Sequence, residues 1–257
     1  MKILVCVKTV PATTEVEVDG QFRLKRDGVK LQLNIADEAA LETALALKET
    51  GDSVTVLTMG PPKVADLLKE LFARGVDRAV LLSDPTLAGA DTYATAEALR
   101  AAISHLGGFD AIFCGRRAMD GETGQVPPML AALMDIPCIT NCEEAEIEEE
   151  NLLLRRRLEG ENQLLQTPMP CVVSVCEYSK TLRLASLMGL RRAKDKGVEI
   201  LTAEDVGIDP QKRGLKGSKT KVTAMTAKFP GLRKGPKETE LLSFAKTAAD
   251  ICREVAL

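Results

Sequence analysis

Apolar runs of strand length alternate with amphipathic stretches of helical period through the first half of the chain. A continuous apolar run is typical of a strand that is buried on both faces. The pattern predicts strands at Ile3–Val7, Ser53–Thr58, Ala79–Leu82 and Ala111–Cys114, and helices at 37–50, 62–74, 92–106 and 123–134. This order predicts an α/β fold with a doubly wound, mostly parallel sheet flanked by helices.

Two antiparallel elements interrupt this alternation. Residues 15–18 and 22–24 alternate around an Asp-Gly pair and predict a β-hairpin inserted after the first strand. Residues 143–147 and 152–157 predict two antiparallel strands joined by an acidic turn, and 171–175 is expected to return to the sheet.

The C-terminal quarter shows a different pattern. Residues 194–236 have little periodicity and many Lys, Gly and Pro residues, which predicts either a disordered segment or an extended arm that folds against a partner. Residues 237–257 recover helical spacing. We therefore expect a nucleotide-binding domain at 1–193, an arm at 194–236 and a terminal helix at 237–257.

Composition narrows the function classes. The 257 residues carry a net charge of −3 and only 3% aromatic side chains, which argues against nucleic-acid binding. No apolar run is long enough for membrane insertion and the first residues lack a signal-peptide pattern, so a cytoplasmic protein with reduced thiols is expected. Seven cysteines without a CxxC pair, and a single histidine, predict no metal site.

Candidate cofactor-binding residues follow the predicted strands, because ligands of doubly wound sheets bind at the carboxyl ends of the strands. Each also has a structural interpretation: a capping box before the first helix, a turn after the second strand, and an Asp/Thr cap before the third helix. The candidates are Cys6, Val7, Lys8, Asn34, Asp37, Met59, Gly60, Asp91, Thr92 and Thr95.

The densest cluster follows the fourth predicted strand. Glycines allow close approach to the backbone, a helix start offers N–H groups, and arginines neutralise anions, so a phosphate site is predicted, with a glycine-rich surface turn as the alternative. The spacing matches neither the Walker pattern nor GxGxxG. The residues are Gly115, Arg116, Arg117, Asp120, Gly121, Thr123, Gly124, Gln125 and Val126.

These segments together resemble the β subunit of electron-transfer flavoproteins. The resemblance covers most of the chain and rests on ILVCVKTVP, RDGV, NIADEAALETALALKE, TMGPP, GADTYAT, CGRRAMDGETGQVPPMLA, TPMPCVVSV and RLASLMGLRRAK, in that order. Ile35, Pro127 and Ala12 depart from the family's usual proline, glycine and aspartate, and Met134-Asp135 replaces Leu-Gly. Pro127 removes one N–H from the presumed phosphate site.

The resemblance implies an electron-transfer subunit rather than a stand-alone enzyme. Two stretches are most similar to the flavin-bifurcating members of anaerobes. This implies FAD that accepts hydride from NADH, with AMP as the alternative. The implied partners are an α subunit with its own FAD, ferredoxin or flavodoxin, and an acyl-CoA or hydroxy-acid dehydrogenase. No side chain is needed as an acid, base or nucleophile.

The same resemblance places a recognition loop for the dehydrogenase at 177–193. The alternative is an amphipathic element of the core. The residues expected to dock are Tyr178, Lys180, Leu182, Arg183 and Leu184. Two further function classes remain open: a non-redox module with structural AMP, and a stand-alone adenine-nucleotide enzyme.

Overall fold

Strands and helices alternate along the chain as the hydrophobic pattern predicts. The computed structural model describes residues 1–12, 30–223, 243, 245, 246, 249 and 250. The strands are β1 (Lys2–Cys6), β2 (Thr9–Pro11), β3 (Leu31–Leu33), β4 (Ser53–Met59), β5 (Arg78–Leu82), β6 (Ala111–Gly115), β7 (Cys138–Glu148), β8 (Asn151–Leu158), β9 (Glu161–Pro168), β10 (Cys171–Val175) and β11 (Glu199–Leu201). The helices are α1 (Ile35–Leu47), α2 (Ala65–Phe72), α3 (Thr92–His105), α4 (Val126–Met134), α5 (Leu187–Ala193) and α6 (Gly214–Gly217).

In the described part of the chain, the main sheet contains nine strands in the order β11-β5-β4-β1-β6-β10-β7-β8-β9. The pairs from β11 to β7 are parallel, and β8 and β9 extend the sheet by antiparallel pairing. The chain runs outward from β1 through β4 to β5, and then crosses to β6 on the other side of β1. The order therefore reverses between β1 and β6, which is the switch point of a doubly wound sheet.

Two hydrophobic cores cover the two faces of the sheet. Ile3 and Val5 pack into one core with α1 and α2, whereas Leu4 and Cys6 pack into the other with α3 and α4. These four residues are at most 7% exposed. Burial on both faces explains the continuous apolar run of β1 and confirms the predicted fold class.

The antiparallel extension is larger than the sequence indicates. β7 and β8 pair through a turn at Glu149 and Glu150, as predicted, and β10 returns to the sheet between β6 and β7. The additional strand β9 was not predicted, because its sequence ENQLLQTP is largely polar and leaves Leu164 65% exposed. An edge strand with one weakly apolar face gives little periodic signal.

Part of the predicted arm is folded within the compact unit Met1–Val222. Glu199–Leu201 form β11 beside β5, and Ala203, Val206 and Ile208 are at most 8% exposed. The structure therefore differs from the extended conformation expected over 194–236, since isolated apolar residues in a segment without a period still reach the core. Residues 224–236 lie outside the described residues.

Two other expectations fall mainly on residues that the structure does not describe. The predicted hairpin at 15–24 lies within 13–29, outside the described residues, and the chain on either side of it forms the antiparallel pair β2–β3. Most of the predicted C-terminal helix is likewise outside them. Where the chain is described, it contains no helix long and apolar enough to cross a lipid bilayer.

Candidate functional site

The carboxyl ends of β1 and β6 lie side by side at the switch point. Cys6 and Cys114 are partners in the parallel ladder, and both are buried. A hydrogen bond with Cys6, together with burial, raises the pKa of Cys114 well above its ordinary value, so this thiol stays protonated. The backbone beyond these residues, at Lys8 and Gly115, forms the edge where the sequence places a ligand.

Asp37 joins the two strand ends to α1. Its Oδ2 accepts a hydrogen bond from the backbone N–H of Lys8 at 2.7 Å, and its Oδ1 accepts one from the backbone N–H of Gly115 at 2.9 Å. Burial raises the pKa of Asp37 to about 7, against the hydrogen bonds that lower it. Both oxygens of the Asp37 carboxyl group are therefore used in hydrogen bonds within the protein.

Asn34 performs a similar task for the glycine-rich loop after β6. Its Nδ2 donates to the carbonyl of Arg117 and its Oδ1 accepts from the N–H of Met119, both at 3.0 Å. Asn34 is fully buried and occupies the N-cap position of α1, but its side chain makes no capping hydrogen bond. The capping-box interpretation is therefore wrong, because the amide is used by a loop more than 80 residues away.

Gly115 is required by the close packing of α1 against the end of β6. A Cβ atom at this position would lie 2.2 Å from Asp37 Oδ1 and 2.7 Å from the backbone nitrogen of Asp37. Gly124, at the other end of the loop, has a φ of +62°, which favours glycine for conformational reasons. Both predicted glycines thus shape the loop.

The positive side chains at this edge are paired with carboxylates. Lys8 Nζ lies 2.5 Å from Asp120 Oδ1. Arg116 makes a two-pronged pair with Glu177, with Nε–Oε2 and Nη2–Oε1 distances of 2.9 and 2.5 Å, and Arg117 reaches the same carboxylate at 3.2 Å. Burial raises the pKa of Glu177, but the two arginines outweigh this effect and lower its pKa below the ordinary value.

The starts of α3 and α4 differ in how they are capped. Asp91 Oδ1 accepts from the N–H of Ala94 at 2.9 Å and caps α3, whereas the side chain of Gln125 makes no capping bond to α4. Instead, Gln125 Oε1 accepts from Thr92 Oγ1 at 2.8 Å, which brings the two helix starts together. Of these two helix starts, that of α3 therefore carries a capping carboxylate and that of α4 does not.

Comparison with known proteins identifies the family. The sequence profile of the electron transfer flavoprotein domain matches residues 21–206. The electron transfer flavoprotein subunit beta of Thermoanaerobacterium thermosaccharolyticum is 43% identical over 227 residues, which are 87% of each chain. The chain belongs to the electron transfer flavoprotein family. Two other relatives are the caffeyl-CoA reductase-Etf complex subunit CarD of Acetobacterium woodii, 37% identical over 86% of each chain, and the acryloyl-CoA reductase electron transfer subunit gamma of Anaerotignum propionicum, 38% identical over 86% of each chain.

The remaining predicted site residues of this electron transfer flavoprotein β subunit lie along the same carboxyl edge. Val7 donates its N–H to the Leu57 carbonyl, Gly60 donates to the Leu82 carbonyl, and Thr95 donates to the Asp91 carbonyl in the first turn of α3. Met59 ends β4. Gly121 and Thr123 lie in the exposed part of the glycine-rich loop, and Val126 is the first residue of α4.

The expected recognition segment of the flavoprotein begins at the site and continues onto the surface. Tyr178 and Leu184 are 76% and 86% exposed. Leu182 is only 8% exposed and packs in the core, so it supports the segment from beneath. Arg183 pairs with Glu42 of α1 at 2.8 Å, and this pair holds the segment to the domain. Lys180 is partly exposed.

Sequence reasoning missed Glu177 as a member of the site. Nothing in its local pattern marks it, because its arginine partners lie about 60 residues earlier in the chain. Among the described residues, no group of three or more His, Cys, Asp or Glu side chains is arranged to hold a metal ion.

Proposed function

We propose that this β subunit binds an adenine nucleotide at the carboxyl edge between β1 and β6, with its phosphates at the glycine-rich loop and the start of α4. The observation that carries the proposal is the contrast between the two helix starts at this edge. Asp91 places a carboxylate on the start of α3, whereas no side chain caps α4. An anionic ligand is stabilised at a helix start that lacks a carboxylate.

The residues at this edge fit a nucleotide phosphate. Gly124 turns the backbone into α4 in a left-handed conformation, so the N–H groups of Gly124, Gln125 and Val126 are those that can point at an anion. Pro127 and Pro128 follow in the first turn and have no N–H to donate. Lys8, Arg116 and Arg117 supply positive charge at the same edge.

We propose FAD as the nucleotide, with AMP as the alternative. The support is the similarity of the GADTYAT and NIADEAALE segments to flavin-bifurcating members. A bound FAD would accept hydride from NADH and would pass electrons on one at a time. The chain's own residues orient and bind the nucleotide: Asp37 and Asn34 fix the backbone of the edge, and the glycine-rich loop receives the phosphates.

The proposed partners follow from the family and from the exposed segment. An α subunit with a second FAD would pass one electron to a dehydrogenase, and ferredoxin or flavodoxin would receive the other. Relatives named for caffeyl-CoA and acryloyl-CoA reductases favour a dehydrogenase that acts on acyl-CoA, with a hydroxy-acid dehydrogenase as the alternative. The exposed side chains of Tyr178, Leu184 and α5 would contact it.

Two matched substitutions test the placement of the phosphates. Gly124→Asp puts a carboxylate at the start of α4, and Gly107→Asp puts one just after the end of α3, at another glycine of positive φ, +95°. We expect Gly124→Asp to weaken nucleotide binding by about tenfold or more, since the new charge repels the phosphate and takes its space. Gly107→Asp should leave nucleotide binding unchanged. Equal nucleotide content in the two purified variants would contradict the placement.

The absorption spectrum and nucleotide content of the α/β complex distinguish the two nucleotides. Two flavins per complex, with flavin reduction on addition of NADH, would support FAD. One flavin and one AMP per complex would support the structural alternative. A complex without any nucleotide attributable to the β subunit would contradict both.

A further inference from the structure

One carboxylate holds the two arginines that leave the end of β6. Glu177 contacts Arg116 through both of its oxygens and Arg117 through one of them, at 2.5 to 3.2 Å. Its side chain is only 20% exposed, and those of Arg116 and Arg117 are 35% and 43% exposed. The hydrogen bonds that Arg116 donates to Glu177, together with the negative charge of Glu177, raise the pKa of Arg116, against the effect of burial. Arg117 also lies 3.9 Å from the exposed carboxylate of Glu122, so Glu177 is the carboxylate that both arginines share.

Glu177 also begins the exposed apolar segment. The next residue, Tyr178, has a φ of +64°, which is an unfavourable conformation for a bulky side chain. Tyr178 is 76% exposed, so packing of its ring does not account for this conformation. The ion pairs of Glu177 lie directly before the strained residue and hold the chain there. At its far end the segment is held by a separate pair, Arg183 with Glu42.

We infer that Glu177 is a positioning residue that competes with the nucleotide phosphates for Arg116 and Arg117, and thereby links occupancy of the nucleotide site to the conformation of residues 177–184. The inference rests on the proposed function, because the competing anion is the bound nucleotide. The observation behind this inference is that the shared carboxylate of Glu177 lies directly before the strained residue Tyr178.

The physical basis is that two arginines share Glu177, whereas Glu122 approaches Arg117 alone and only to 3.9 Å. A phosphate at the glycine-rich loop offers more acceptor oxygens and more charge than Glu177, and each arginine that turns to it leaves Glu177 less firmly held. The left-handed conformation of Tyr178 is then free to relax. Coupling of this kind is reciprocal, so a partner that binds the relaxed segment must tighten nucleotide binding by the same factor.

The test compares Glu177→Gln with Glu42→Gln in the full-length chain bound to its α subunit. Both changes remove a carboxylate that holds the segment by an arginine, but only Glu177 contacts the arginines of the site. The measurements are the dissociation constants for AMP and for FAD, and amide hydrogen exchange of residues 177–184 with and without each nucleotide.

We expect Glu177→Gln to tighten nucleotide binding by about threefold or more, because a competing charge is removed, and Glu42→Gln to leave it unchanged. In the unaltered chain and in Glu42→Gln, the nucleotide should increase exchange at 177–181. In Glu177→Gln exchange should already be high and should not respond. A purely structural role of Glu177 would instead weaken nucleotide binding in the variant.

Three results would overturn the inference. These are weaker or unchanged nucleotide binding in Glu177→Gln, a nucleotide response of 177–181 that persists in that variant, and no response in the unaltered chain. If the unaltered chain binds neither AMP nor FAD, the proposed function fails as well. Nucleotide binding without any response of the segment refutes the coupling alone.

Discussion

Position 115 requires glycine because of the atoms that face it, and not because of its backbone conformation. A Cβ atom there would come within 2.7 Å of the α1 backbone and closer still to Asp37 Oδ1. We expect Gly115→Ala to lower the free energy of unfolding by about 3 kcal/mol, since helix and strand must separate to admit the methyl group. Denaturation in urea measures the change.

Gly121 provides the matched control for this substitution. It lies in the same loop, but no atom would lie within 4 Å of an added Cβ, and its φ is not positive. Gly121→Ala should change the free energy of unfolding by less than about 0.5 kcal/mol. Similar losses in both variants would mean that the loop is sensitive to any side chain, and not that α1 packs tightly on β6.

Asp37 should make stability depend on pH. Burial raises its pKa to about 7 from an ordinary value of 3.8, so between these values the folded chain binds more protons than the unfolded chain. The free energy of unfolding should therefore fall as the pH rises through this window, by up to about 1.4 kcal/mol per pH unit. Asp37→Asn should remove this slope. Denaturation curves at pH 5 and pH 7.5 provide the measurement.

Glu97 is the control for the pH experiment. This carboxylate is also buried, which raises its pKa, but Arg100 and Lys212 outweigh burial and hold its pKa below the ordinary value. Its stabilising contribution is therefore present above pH 4.5 and is lost only in more acidic solution. Glu97→Gln should lower stability equally at pH 5 and pH 7.5. If it flattened the slope as Asp37→Asn does, Asp37 would not be the titrating group.

Shortening the apolar side chains of the exposed segment from Tyr178 to α5 should weaken docking to the dehydrogenase. Leu184 and Leu187 are 86% and 83% exposed, and α5 has no buried residue. Leu184→Ala with Leu187→Ala should reduce affinity for the partner dehydrogenase by about tenfold or more and leave nucleotide content unchanged. Surface plasmon resonance with the intact α/β complex measures the affinity.

Leu164 and Lys180 supply the comparisons for docking. Leu164 is 65% exposed on β9, outside the segment, so Leu164→Ala should leave docking unchanged. Lys180→Glu should slow association, with a smaller defect at high salt, because exposed charges act mainly on the encounter rate. Arg183 is unsuitable for this test because reversing its charge would break its pair with Glu42. If Leu164→Ala lost as much affinity as the double variant, the exposed segment would not be the docking site for the dehydrogenase.

The sequence identifies elements whose residues share one period, and it misses contacts between distant segments. β1 and α3 were predicted because apolar residues repeat within each of them. The hydrogen bonds of Asn34 to the loop after β6 connect residues 83 and 85 positions apart, and no local pattern encodes them. Likewise the glycine-rich loop was predicted as a site, but the pairing of its arginines with Glu177 depends on how β10 returns beside β6.

The first part of the predicted arm belongs to the folded body of the protein, and its amides are expected to exchange slowly. β11 and the buried residues Ala203 and Ile208 belong to the compact unit. Their amides should exchange slowly, by at least about tenfold relative to exposed loops, in the chain with or without its α subunit. For 224–236, which lie outside the described residues, we expect protection from exchange only in the α/β complex. Amide hydrogen exchange of the free chain and of the α/β complex measures both segments. Fast exchange of 199–208 in the free chain would contradict the expected slow exchange.

The hydrogen bonds of Asp37 and Asn34 have a consequence for the kinetics of ligand binding. They are made within the chain, so the backbone at Lys8, Gly115 and Met119 is positioned by folding itself. A ligand then does not have to order these segments, and the entropy lost on association is correspondingly small. Two nucleotides that share the same phosphates should therefore associate at similar rates, and the difference between them should lie in how long each stays bound.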